Sequence, residues 1–203
     1  MVKSQSAKDK LLNAALSLIR MKGYSATTVE ALCEKAGVTK GAFFHHFDSK
    51  DDLAVAAADH WSSVTSAFFE QAPYRTLQDP RDRFLGYVKF RKDILQGELE
   101  EFTCLVGTMV QEAYQVTKIQ EACEKSIFGH AQGLEIDIEE AKSLYAPNAR
   151  WTSKSLALFT QATIQGAFIL SKASGKTKDA VMAIEHLENY LHLLFPDNRL
   201  TKE

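Results

Sequence analysis

Apolar residues recur at intervals of three and four along most of this chain, the spacing of helices that bury one face. Over residues 7–22, Leu11, Leu12, Ala15, Leu18 and Ile19 share a face, with Lys8, Asp9, Lys10, Arg20 and Lys22 around the other and Gly23 as the stop. Val29, Leu32 and Ala36 mark a second, two-turn helix. Its opening, Thr27 with Glu30, has the Thr-x-x-Glu spacing of a reciprocal cap, and Gly37 stands where positive φ can end it. Thr39 can cap a third helix running to about His46, with Phe43 and Phe47 inward and Lys40, Gly41, Ala42, Phe44 and His45 outward. Ser49 and Asp52 repeat the cap and open a longer helix through Asp59, Trp61 and Phe69 to Pro73.

Asp79 and Pro80 then open a segment carrying Phe84, Val88, Arg91 and Leu95 up to Gly97, whose mixed face predicts partial exposure. Residues 98–113 read as one central helix, acidic in its first turn (Glu98, Glu100, Glu101) and apolar nearly all round after it. Thr103, Gly107 and Thr108 lie among its large residues, a pattern that suits both tight packing and a hollow beside the helix. Ile119, Cys123, Ile127, Ala131, Leu134, Ile138, Ala141 and Tyr145 predict a long amphipathic helix up to Pro147, against which Gly129 and Gly133 weigh. Thr152 or Ser153 caps a helix of Leu156, Phe159, Ala162 and Leu170 that Gly175 closes. The last helix, 178–195, carries Val181, Ile184, Leu187, Leu191 and Leu194. Two such stripes fit a four-helix interface between two copies of the chain, and equally burial in its own core. The polar tail 197–203 and the first residues read as frayed.

Helix, tight turn, helix is a unit whose second helix can enter a DNA major groove. Charge supports that placement. The formal net charge is -2, but residues 1–50 hold eight Lys or Arg against four Asp or Glu, so this part is +4 and the remainder -6. Three cysteines, at 33, 104 and 123, have neither metal nor CxxC spacing and point to a reducing, cytoplasmic setting. Neither an apolar leader nor a membrane-length stretch is present. The glycine-rich phosphate loop, HExxH, GxSxG and paired-cysteine sites are missing, and His186 and His192, six apart, do not share a face as ligands would; no enzyme and no cofactor are expected. The rival reading is a helical enzyme or scaffold in which residues 27–50 are only a packing unit.

The stretch TTVEALCEKAGVTKGAFFHHFDSK, residues 27–50, resembles the DNA-binding domain of the TetR family of bacterial transcriptional regulators, with the likeness reaching over about residues 7–60. It implies an all-α protein: a three-helix helix-turn-helix DNA-binding domain, residues 1–60, joined to a larger helical ligand-binding and dimerisation domain, residues 61–203. It further implies that Thr28 and Lys50 meet phosphates and that Thr39, Lys40, Gly41, Ala42, Phe44, His45 and His46 face DNA. Phe44 stands where the family usually has Tyr, and Cys33 where it has a small Ala. The expected function is a ligand-responsive repressor that binds a palindromic double-stranded operator as a homodimer, its recognition helices roughly 34 Å or a multiple apart. A small organic effector is expected beside the central helix, lined by some of Phe102, Cys104, Thr108, Gln111, Trp151, Gln161 and Phe168, where apolar walls alternate with sparse polar anchors. The alternative to a ligand is oxidation at Cys104, whose place at a helix start favours a thiolate while Glu100 and Glu101 disfavour it.

Overall fold

The computed structural model describes residues 5–196, and among them every regular element is helical. In chain order these are α1 (Ala7–Lys22), α2 (Val29–Ala36), α3 (Lys40–His46), α4 (Lys50–Glu70), a 3₁₀ turn (Pro73–Thr76), α5 (Pro80–Asp93), α6 (Leu99–Phe102), α7 (Leu105–Ala113), α8 (Thr117–Tyr145), α9 (Ser153–Ser174) and α10 (Thr177–Leu194). The polar tail, 197–203, lies outside the described residues. The fold is all-α, as the periodicity predicts.

The chain packs as two units. The first runs up to Ser66 and takes in Thr103–Ile127; the second comprises Ala67–Phe102 and the chain from Phe128 onward. The sequence places a boundary at residue 60, but packing adds the later stretch to the first unit. The reason is apolar burial: Leu105, Val106 and Met109 of α7, with Ile119 and Cys123 of α8, share one core with Leu11, Ala15 and Ile19 of α1, Leu32, Phe43 and Leu53. Each Leu, Ile, Val, Met or Phe side chain taken out of water contributes about 1.5–3 kcal/mol. Residues 98–113 are therefore not one helix. Phe102 ends α6 in the second unit, stacked 6.0 Å from Phe168, whereas α7 belongs to the first, and the chain leaves helical geometry between them at Cys104 (φ -82°, ψ 125°).

In the second unit α10 packs on α9 and on α5. Phe84 meets Phe195 at 6.1 Å, Arg81 Nε donates to the Phe195 carbonyl at 2.7 Å, and Lys92 pairs with Glu188 at 2.6 Å. Ser171 joins the last two helices, its hydroxyl donating to Lys176 O and accepting from Ala180 N. α5 is partly exposed, as its mixed face predicts: Lys89 and Asp93 face water, whereas Phe84 and Val88 are fully buried and Arg81 and Arg91 nearly so, where α10 and the 3₁₀ turn pack on this helix. The stripe on α10 is likewise consumed within the chain, with Ile184, Leu187 and Leu191 buried. α8 is continuous, its exposed Gly129 and Gly133 offset by burial of Ala131, Leu134, Ile138 and Ala141.

Candidate nucleic-acid interface

The turn between α2 and α3 follows from Gly37. Its left-handed backbone (φ 63°, ψ 41°) reverses the chain, and Val38 N donates back to Cys33 O at 3.0 Å, which closes α2. The N-terminal cap of α2 is Thr28, not Thr27: Thr28 Oγ1 accepts from Ala31 N at 3.2 Å. Thr27 is instead fully buried, its hydroxyl donating to Gly23 O at 2.7 Å. Thr39 then caps α3, accepting from Ala42 N at 3.1 Å, and the seven-residue helix is anchored by Phe43 (0% exposed) and Phe47, 5.8 Å apart. With both anchors inward, Thr39, Lys40, Gly41, Phe44, His45 and His46 are exposed and Ala42 is half-buried. Phe44, at 55% exposure, is a large ring held in water at no structural gain visible in its surroundings beyond an edge contact with Phe43.

Charge on this face is partly held in reserve. Lys40 pairs with Glu30 of α2, and the carboxylate beside it holds its ammonium above the usual lysine range. Both side chains are more than half exposed, so the pair is weak and an incoming phosphate or base edge can take the lysine over. Thr28 is exposed, its oxygen capping α2 and its hydroxyl donating to the solvent-exposed Glu30 carboxylate, a contact that an incoming phosphate can replace. Lys50 folds over Tyr24, with Nζ 4.1 Å from the ring centroid and donating to Tyr24 O at 3.1 Å, which leaves further donors on the ammonium.

The sequence reading missed how the segment before α2 is held. Tyr24 donates to Asp51, and its hydroxyl is held well above the usual tyrosine range, so it stays protonated; Glu112 of α7 accepts from Ser25 N at 2.8 Å. Gly23 has φ 88°, which glycine adopts without strain, and a Cβ there would have to push aside the exposed Glu112 carboxylate that holds Ser25 N. Burial of Tyr24 is the main cause of its upward shift, with Asp51 second.

The expected effector residues are divided between the two units. Cys104, Thr108 and Gln111 belong to the first unit and turn back on α7: Thr108 donates to Cys104 O at 2.9 Å and Gln111 to Gly107 O at 2.5 Å. In the second unit Phe102 and Phe168 stack, while Gln161 donates to Tyr87 Oη at 2.8 Å, which lies 2.9 Å from His130 Nε2. Trp151 packs on Phe195 at 5.4 Å under Lys142. Tyr87, Arg91 and His130 were not foreseen as site residues; the one available signal was an arginine at helical spacing with Phe84 and Val88.

Residues 11–57 match the family described as "Bacterial regulatory proteins, tetR family". The chain is 33% identical over 95 residues to the uncharacterized HTH-type transcriptional regulator YvkB of Bacillus subtilis, covering 45% of this chain and 50% of YvkB. It is 44% identical over 52 residues to the Tn10 TetC protein of Escherichia coli, covering 26% of each. The chain thus spans half or less of the length of these curated relatives. The crystal structure of the regulatory protein TetR from Rhodobacter sphaeroides superposes with a TM-score of 0.80 at 20% identity, over 90% of this chain and 97% of that one, a likeness of fold.

Proposed function

We propose that this chain, which belongs to the TetR family of bacterial regulators by its N-terminal domain and its fold, represses transcription as a homodimer that a small organic effector releases from operator DNA. The family is one of regulators rather than enzymes. The observation that carries DNA binding is α3 itself. A seven-residue helix with Phe43 and Phe47 buried turns Lys40, Phe44, His45 and His46 to water beside a capped, positively polarised N-terminus. Lys40, Ala42 and Phe44 are assigned to base edges, and Thr28, His46 and Lys50 to phosphates. No helix among the described residues is long and apolar enough to cross a membrane. A cytoplasmic regulator is the reading this favours.

Dimerisation is assigned to the outer faces of α9 and α10. With Leu187 and Leu191 buried, the large residues that remain exposed are Phe159, Ile169, Leu170, Met182, Tyr190 and Leu193, and Phe159 and Tyr190 already meet across the two helices at 5.4 Å. The test is anisotropy with a duplex selected by the protein from a random pool, against an unselected duplex. Lys50→Ala should weaken both and lower the salt slope by about one per subunit, whereas Lys40→Ala should also lose preference for the selected sequence. Equal effects of Lys40→Ala on both duplexes overturn its role in base reading.

A second reading rests on Cys104. Its Sγ caps α7, accepting from Gly107 N at 3.4 Å, and the residue is partly exposed, whereas burial raises the thiols of Cys33 and Cys123, the latter to about 12. Peroxide that releases DNA from the wild type and not from Cys104→Ser selects this reading over a ligand.

A further inference from the structure

We infer that Arg91, at the centre of the second unit, is the anchor of a binding site for a small organic monocarboxylate with an aromatic or alkyl body. Arg91 is 9% exposed. Its buried Nε has no hydrogen-bond partner, and none of the described carboxylates pairs with it. What surrounds the guanidinium is aromatic: the ring centroids of Phe69, Phe168 and Tyr87 lie 5.2, 5.5 and 5.9 Å from its central carbon.

The neighbouring arginines show how this unit treats a cation it keeps for structure. Arg81 donates to Phe195 O and pairs with Asp82; Arg83 binds Asp137, Glu140 and the Gln78 carbonyl; Arg75 shares Asp137. Arg91 has only ring faces, which recover part of the cost of taking a charge out of water and offer its N–H groups no acceptor. The other polar groups nearby bring no negative charge. Gln161 donates to Tyr87 Oη and Tyr87 Oη faces a neutral His130, so that chain is satisfied within itself. Tyr74, its ring 5.8 Å from Tyr87, carries a buried hydroxyl with no partner.

An excess of donors, one fixed positive charge and walls of Phe69, Tyr87 and Phe168 select a ligand with a single anionic head and an apolar body. A carboxylate matches the planar fork of the guanidinium through two parallel hydrogen bonds. Inorganic phosphate or sulfate fits worse, because its charge calls for more donors than one caged arginine provides. The inference deepens the effector reading and rests on it only for the consequence to DNA.

The test is calorimetry on the full chain without DNA, with benzoate and octanoate and their neutral amides, benzamide and octanamide. Each acid should bind about tenfold or more tightly than its amide. Arg91→Met should abolish that preference while leaving amide binding as in the wild type. Should Arg91→Met fail to fold, Arg91→Lys and Arg91→Gln take its place, each expected to weaken acid binding with the amide unchanged. Equal binding of acid and amide, an acid preference that survives loss of Arg91, or no acid bound at millimolar concentration overturns the proposal. Release of the selected duplex is measured separately. Acid binding that leaves the DNA complex intact overturns the effector reading and keeps the site.

Discussion

His130 makes stability pH-dependent in a direction that its burial beside Arg91 sets. Loss of hydration, with Arg91 and Arg75 adding repulsion, pushes its imidazole down from 6.5 to about 3. It sits neutral, 5.1 Å from the Phe69 ring and facing Tyr87 Oη at 2.9 Å. In the unfolded chain it protonates below about pH 6.5, and in the folded chain only near pH 3, so acid favours the unfolded state between those values. Stability is therefore complete above pH 7 and falls as pH drops through 6.5. Between pH 7 and pH 5 the loss from this one group is about 2 kcal/mol, each unit below 6.5 costing about 1.4 kcal/mol. His130→Gln keeps an acceptor for the Tyr87 hydroxyl and cannot titrate. Urea unfolding of both proteins at pH 7 and pH 5 isolates the effect, since every other titrating group is common to the two. The wild type should lose about 2 kcal/mol more than the variant over that interval. Equal losses would refute a neutral, desolvated His130.

Gly23→Ala should destabilise by more than about 1 kcal/mol, since it adds strain at positive φ and pushes aside the Glu112 carboxylate, read as a lower midpoint in thermal melts. Thr39→Ala removes the cap of α3 and should cost about 1 kcal/mol, with weaker binding to the selected duplex in anisotropy. Leu170→Glu with Leu193→Glu, both on exposed positions, should give folded monomers by light scattering that lose DNA affinity; a dimer that persists places the interface elsewhere. Leu187→Asp, by contrast, buries an unpaired carboxylate and should unfold the second unit, visible as lost helical circular dichroism.

Local rules were legible where a single residue settles a local geometry. Ser49 and Asp52, Asp79 with Pro80, Thr39, Gly37 and Gly175 all stand at the helix ends expected of them, because a cap or a left-handed turn involves only neighbours in the chain. Phe43 and Phe47 are inward for the same reason: four residues along a helix is a fixed rotation. The outward face of α3 followed directly, and with it the candidate interface.

Which core a residue joins is another matter, because it depends on contacts far apart in sequence. Periodicity identifies an apolar face and is silent about what covers it. Leu187 and Leu191 have the pattern of an interface stripe, but α5 and α9 reach them first, which leaves Leu170 and Leu193 outside. Residues 98–113 are apolar nearly all round after an acidic first turn, yet the helix breaks at Cys104, where the chain passes from one unit to the other. Arg91 shows the limit most plainly. Its helical position among Phe84 and Val88 was readable, but its lack of an anionic partner is set by where Asp137 and Glu188 point, toward Arg83 and Lys92. The chain by itself determined most of its helices, the caps at Thr39, Ser49 and Asp79, and the face of α3. Burial, and the pairing of buried charges, were decided by tertiary structure, since solvent exclusion and ion pairing act between groups that only folding brings together.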